Sequence, residues 1–285
     1  MESTKIFYFS GTGNSLYVAK RICELIPNSE LVPIIGYIQS SNQTLKCKKM
    51  GLVFPIQGPM FLTAVKQFLD NSDLTDVEYI FSVSTRGGTT CRTEKELNKL
   101  LKIHGKKINA NFIITMFNND PKLKSMNKNE YDFHIPNEDE VNKKIEYVTK
   151  NVKIISNVVV NEFEYHMKDT EYGFKYGFFF EKLIIFATKL MSKKSIKNYF
   201  YINQNCIGCG ICSNVCLSNR INLINTKPIW DDKILCHMCY ACLNYCPKNA
   251  VEINSKWYMK SYTTTQERYS HPFASAKDIE IQKKI

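Results

Sequence analysis

Apolar and polar positions change period several times along the first half of the chain. Lys5-Ile6-Phe7-Tyr8-Phe9 is an apolar run of strand length that leads straight into Ser10-Gly11-Thr12-Gly13-Asn14-Ser15. Beyond it Leu16, Val18, Ala19, Ile22, Leu25 and Ile26 recur three to four apart, which is the spacing of one helix face. A weaker strand is expected at Leu31–Ile35. Met50–Phe54 is continuously apolar, as a parallel strand covered on both faces must be, and Tyr79–Val83 and Phe112–Phe117 repeat that signature. Helices are expected between the third and fourth strands, ending near Leu69, and from about Thr93 to Ile103. Strands alternating with helices in this way predict the α/β class, a doubly wound parallel sheet.

The second half is patterned differently. Val141, Ile145, Val148, Val152, Ile155 and Val159 form one apolar helical stripe, suited to a last helix packed on the sheet. The segment 172–191 is apolar and near the length of a membrane span, but Lys175, Glu181, Lys182 and Lys189 interrupt it. It therefore reads as a packed helix in preference to a transmembrane one; a helix lying on a membrane surface is the other reading. After Lys256 the chain turns polar. The stretch Arg268–Pro272 is expected to be an extended arm over the first domain, carrying no chemistry.

Between these segments lies the densest chemistry of the chain. Cys206, Cys209, Cys212 and Cys216 form a C-x2-C-x2-C-x3-C run, and Cys236, Cys239, Cys242 and Cys246 repeat it with one constant offset, followed by Pro247. The offset also matches Asn219 with Asn249, Ile221 with Val251 and Leu223 with Ile253, so the segment is an internal duplication. Three thiols spaced in this way wrap a short loop around one cubane, and Gly208 and Gly210 let backbone amides turn toward the sulfurs. A structural zinc site is a second reading, but zinc pairs two C-x2-C units and leaves the middle thiol of each triple unused. A disulfide framework is a third, and it needs an oxidising compartment.

Length and charge narrow the picture. A chain of 285 residues suggests about two domains. Cys23, Cys47 and Cys91 fall outside the runs without a pairing pattern, and no signal-peptide pattern opens the chain, so a reducing cytoplasm is expected. The net charge of +11 is spread along the chain, so no nucleic-acid arm is expected. Such a diffuse field suits an acidic redox protein partner or an anionic membrane surface, and equally an ordinary solvated surface rich in lysine.

The loop Ser10–Ser15 joins a strand to a helix, the arrangement of a phosphate cradle. It lacks the Gly-Lys-Ser/Thr of a P-loop, and Leu16 stands where the dinucleotide fingerprint needs its third small residue. An ordinary glycine-rich turn is the plain alternative. The remaining S-x-T-G-x-S pattern resembles the FMN phosphate loop of flavodoxins. That resemblance implies the strand order 2-1-3-4-5 and an FMN site on Ser10, Gly11, Thr12, Gly13, Asn14 and Ser15. It puts the ring between Pro55, Ile56, Gln57 and Gly58 on one side and Ser84, Thr85, Arg86, Gly87 and Gly88 on the other. These loops hold no aromatic residue, and Met60 alone offers a soft stacking surface, so a more open flavin face is expected. Arg86 either borders the flavin, where its cation would favour the reduced form, or pairs with a carboxylate.

The cysteine repeat resembles two-cluster 4Fe–4S ferredoxins. In that family the last cysteine of each run serves the other cluster. The resemblance thus implies one cluster on Cys206, Cys209, Cys212 and Cys246 and a second on Cys236, Cys239, Cys242 and Cys216. Leu217 departs from the family's usual proline, which Pro247 keeps. As a whole the chain resembles the flavodoxin–ferredoxin fusion proteins of anaerobes. The expected organisation is a flavodoxin-like domain over 1–165, a helical connector over 166–200, a small α+β ferredoxin domain over 201–256 and a tail over 257–285. The implied function is electron transfer between FMN and the clusters, joining two-electron and one-electron partners. The alternative is an FMN-dependent reductase of a quinone, a flavin or NAD(P)H, supplied by the clusters.

Overall fold

A computed structural model describes residues 3–40, 45–56, 63–87, 93–119, 135–170, 198–254 and 268–284. Its first unit is a parallel sheet of six strands in the order β2-β1-β3-β4-β5-β6. The strands are β1 Thr4–Tyr8, β2 Ser29–Pro33, β3 Lys49–Pro55, β4 Tyr79–Arg86, β5 Ala110–Thr115 and β6 Tyr165–His166. Five of them are those the apolar runs predict, in the flavodoxin order. β1 pairs with β2 on one side and β3 on the other, so connections leave it in opposite directions and open a crevice at its carboxyl end.

The two sheet faces carry separate helix layers. Helix α1 (Asn14–Leu25) and the long α5 (Glu138–Val160) cover one face, burying Leu16, Val18 and Ile22 against Val148, Val152 and Ile155. An Asn137–Glu140 capping box starts α5 by satisfying amides that would otherwise be orphaned. On the other face lie α2 (Ile34–Gln39), α3 (Thr63–Asp70) and α4 (Thr93–Leu101). Two elements differ from the sequence reading. The second strand stops at Pro33, whose φ of −72° suits it to lead into a helix, so Ile34 and Ile35 belong to α2. β6 is two residues long, too short to show a period, and contacts with the sheet continue beyond residue 165 through Met167 N–H to the Asn111 carbonyl.

The cysteine segment forms a smaller unit of two-stranded antiparallel pairs. β7 (Phe200–Ile202) pairs with β10 (Val251–Ile253), and β8 (Ile221–Ile224) pairs with β9 (Lys227–Trp230). One-turn helices α6 (Ile211–Asn214) and α7 (Ala241–Asn244) follow the first two cysteines of each run. The duplication extends to the backbone: positive φ recurs at Gly208 and Met238, Gly210 and Tyr240, and Asn219 and Asn249. Where the second copy carries a tyrosine in this left-handed conformation, the Tyr240 hydroxyl is tied to that of Tyr199 at 3.0 Å.

No gap separates the two units. Val215, Leu217, Cys239 and Ala241 join the same buried cluster as Phe7, Phe9 and Phe68 of the sheet. Leu217 is 1% exposed, so the residue that replaces the usual proline supplies apolar surface to this junction. Residues 268–271 form no helix or strand, in keeping with the arm expected there, and ordered structure continues beyond it. Residues 268–284 include helix α8 (Ala276–Glu280), begun by a Ser275–Asp278 capping box, and a closing 3-10 turn. No helix among the described residues is long and apolar enough to cross a membrane. The apolar segment 172–191 lies outside the described residues.

Candidate functional site

The cysteine repeat builds two sets of thiols. Cys206, Cys209 and Cys246 surround Cys212, and Cys216 stands with Cys236 and Cys239 around Cys242. The last thiol of each run has therefore crossed to the other triplet. The reason is local: each run turns through a one-turn helix, which carries its fourth cysteine away from the loop that holds the first three. Backbone amides donate to these sulfurs in matching places, Arg220 N–H to Cys216 Sγ at 3.4 Å and Ala250 N–H to Cys246 Sγ at 3.1 Å.

Burial is unequal and chemically telling. It pushes the Cys212 thiol up to about 11, and moves Cys239 and Cys242 still further in the same direction. Thiols so placed stay neutral alone, whereas a bound metal cluster deprotonates them outright. Among the described residues no three His, Cys, Asp or Glu side chains converge for a single metal ion. Four thiols in each set and the amide donors to sulfur fit an iron–sulfur cluster. Cys209 is exposed, Cys239 is buried at the junction with the sheet, and Cys242 is buried within the cysteine unit.

The second site lies in the crevice at the end of β1. Ser10, Thr12, Asn14 and Ser15 line it with Pro55, Ile56, Thr85 and Gly87. Helix α1 begins there at Gly13, with φ of 96° and no side-chain cap, although Asn14 and Ser15 are buried. A buried helix N-terminus without a cap leaves amide donors and a positive dipole facing the crevice, which is what a phosphate group needs. The hydroxyls organise the loop: Ser10 Oγ accepts from Gly13 N–H at 3.1 Å, and Ser15 meets Thr85 at 2.8 Å. The phosphate end of FMN thus fits the residues present.

Other predicted positions are placed as follows. Ser84 is fully buried and bonds Thr93 at 2.7 Å. Arg86 lines the crevice and is buried too; its Nε–H donates to Thr115 Oγ1 at 3.2 Å, and its guanidinium pairs with the carboxylate of Asp169. Gln57, Gly58 and Gly88 lie outside the described residues, as does Met60. Both partners of the Arg86–Asp169 pair are almost wholly enclosed, so losing one strands the other. Asp169→Ala is expected to lower stability by about 3–5 kcal/mol, read by denaturant unfolding; a change below about 1 kcal/mol would mean the pair is structurally idle.

Phe117 and Asn119 complete the crevice lining, and residues of the tail bond its loop. Asn119 donates from Nδ2 to Thr12 Oγ1 at 2.6 Å, and Asn14 donates to the Phe117 carbonyl at 2.9 Å. From the tail, Gln282 grips Ser10 twice: Ser10 N–H donates to its Oε1 at 2.9 Å and its Nε2 donates to the Ser10 carbonyl at 2.8 Å. His271 N–H donates to the Thr12 carbonyl at 2.7 Å, and the Tyr269 hydroxyl bonds Asn14 Oδ1 at 2.8 Å. The tail, expected as an arm over the first domain, thus lies on the loop of the crevice. Its one sequence signal is the Ser275–Asp278 capping spacing, which marks a helix start but not its destination.

The cluster unit reaches the same loop. A Cβ added at Gly11 would stand 2.1 Å from the Cys239 carbonyl oxygen, and one at Gly13 would stand 2.3 Å from Ala274 Cβ. These two glycines therefore admit the second unit and the tail. Beside Cys239, His237 Nδ1 lies 3.1 Å from the Thr63 hydroxyl, and its ring meets Phe9 edge-on at 5.5 Å. Burial lowers the pKa of this imidazole to about 4, so it is neutral at pH 7.

Comparison with known proteins agrees with the cysteine half. A 4Fe–4S dicluster domain matches residues 205–251. No curated protein matches the chain. Among solved structures, a flavoprotein from Bacteroides uniformis is 17% identical with a TM-score of 0.35, over 41% of this chain and 92% of its own. The two-electron reduced flavodoxin of Megasphaera elsdenii is 16% identical with a TM-score of 0.31, over 52% of this chain and 98% of its own. Rubredoxin oxygen:oxidoreductase from Desulfovibrio gigas is 12% identical with a TM-score of 0.36, over 57% of this chain and 37% of its own.

Proposed function

We propose that this chain is a flavodoxin–ferredoxin fusion that passes electrons between an FMN in the β1 crevice and two 4Fe–4S clusters. Cys206, Cys209, Cys212 and Cys246 would hold one cluster, and Cys236, Cys239, Cys242 and Cys216 the other. The observation that carries this reading is the close approach of Gly11 to the Cys239 carbonyl, which sets a cluster loop directly on a flavin loop. Electron tunnelling falls steeply with distance, so a direct loop-to-loop contact favours transfer within the molecule.

FMN exchanges electrons one or two at a time and each cluster one, so together they can join two-electron and one-electron partners. The chain's own residues supply position and exclusion of water. The α1 amides and Ser10–Ser15 hold the phosphate end, and the tail closes over the same loop through His271 and Gln282. At the opposite end, Cys209 is exposed and Ile207 beside it is 63% exposed, which supports an outlet there to a redox protein. The chain's net charge of +11 favours an acidic partner.

The test is cofactor load. Anaerobic protein reconstituted with iron, sulfide and FMN should saturate at about eight irons and one flavin per chain. Saturation at about four irons, or no flavin bound, would overturn the proposal. Rapid anaerobic bleaching of the flavin by NAD(P)H would favour a reductase instead.

A further inference from the structure

The duplicated unit breaks its own symmetry at a buried cation. Arg220 and Ala250 occupy equivalent places: each amide donates to the fourth sulfur of its run, at 3.4 Å and 3.1 Å. Each carbonyl also accepts from an amide just past a strand end, Asp231 N–H at 2.7 Å and Asn203 N–H at 2.9 Å. Only the side chains differ. One copy has a methyl group there, and the other has the largest side chain buried below 2% exposure in the described chain.

The guanidinium of Arg220 stays inside the unit. Its Nε–H donates to the Asp231 carbonyl at 3.1 Å, and a terminal nitrogen donates to Asp232 Oδ1 at 2.7 Å. The Arg220 backbone is held against the thiols by its N–H to Cys216 Sγ contact, and the charge of the side chain acts on the neighbouring Cys236 thiol. Cys216 and Cys236 belong to the same crossed set, the one whose Cys239 lies on the flavin loop. Asp232 is 31% exposed in its side chain against 2% for Arg220, so water screens the carboxylate more than the cation.

We propose that Arg220 makes the two clusters unequal, raising the reduction potential of the cluster held by Cys216, Cys236, Cys239 and Cys242 above that of its twin. The inference rests on the two-cluster reading above. A cluster gains one negative charge when one electron enters, and an enclosed cation beside its thiolates stabilises the reduced form more than the oxidised one. An electron shared between the clusters would then reside beside the flavin loop, and the exposed cluster would be the lower-potential exchange point.

The test is a dithionite titration of the reconstituted holoprotein, followed by electron paramagnetic resonance, on wild type, Arg220→Ala and Asp232→Asn. Wild type should reduce in two separate one-electron steps. Arg220→Ala, which copies the residue of the other half, should lower the upper step by at least about tenfold in its equilibrium constant, about 59 mV for one electron, and leave the lower step in place. Asp232→Asn, which leaves the cation less compensated, should move the upper step the opposite way. Two steps unmoved in Arg220→Ala with about eight irons retained overturn the inference. If Arg220→Ala loses iron, an unmoved upper step in Asp232→Asn overturns it equally. Wild type that saturates at about four irons removes the two-cluster reading itself, a failure distinct from equal potentials.

Discussion

Gly11→Ala should uncouple the two halves of the molecule. The new Cβ would meet the Cys239 carbonyl oxygen at 2.1 Å and the Cys239 Cβ at 2.8 Å. The first of these is backbone, fixed in the loop that carries three thiols, so it cannot swing aside as a flexible side chain would. Either the flavin loop or the cluster loop must move. Forcing atoms into a packed junction costs about 1–3 kcal/mol, and here the gap it opens lies on the proposed electron path. We expect a lower thermal midpoint and slower reduction of the clusters through the flavin in stopped-flow measurements. Gly105→Ala serves as control: its φ of +66° brings backbone strain, but nothing lies within 4 Å of the added atom. It should cost about 1 kcal/mol and leave electron transfer unchanged. Transfer in Gly11→Ala as fast as in wild type would show that the contact is not the route.

Cys246→Ser should strip iron from the distant triplet, not from the one beside it in sequence. Cys246 stands with Cys206, Cys209 and Cys212, whereas Cys242, four residues earlier, faces Cys216, Cys236 and Cys239. A serine oxygen is a poor substitute for a thiolate on iron, so about four of eight irons should be lost or converted to a labile form. Because metal binding contributes to folding, the stability of the C-terminal unit should fall with them. The iron count gives the size of the loss, and paramagnetic resonance identifies the surviving cluster. A spectrum that keeps the cluster of Cys206, Cys209 and Cys212 and loses the other would mean that each run serves its own cluster.

Much of this architecture can be read from local patterns. The apolar runs of Met50–Phe54 and Tyr79–Val83 and the helical spacing of Leu16, Val18 and Ile22 announce their elements, because period reports directly on which face is buried. The cysteine duplication is legible for the same reason: a constant offset in sequence becomes a repeated turn, with positive φ at Gly210 and again at Tyr240. β6 and α2 were hidden because a two-residue strand and a helix following Pro33 leave no period to detect.

The loop Ser10–Ser15 shows where local reading stops. From sequence its glycines point to a phosphate, and the uncapped start of α1 suits one. Only the tertiary structure reveals that Gly11 also makes room for Cys239 and Gly13 for Ala274. Arg86 could be narrowed to flavin or carboxylate, but its partner Asp169 lies far along the chain, across the edge of the sheet. Gln282 reaches Ser10 from the opposite end of the protein. Sequence by itself determined the longer elements and the thiol spacing, since each depends on neighbours a few residues apart. Which unit covers the flavin loop, and which thiols carry a buried cation beside them, depends on contacts between distant segments. Such contacts leave no periodic trace, and only the packed chain decides them.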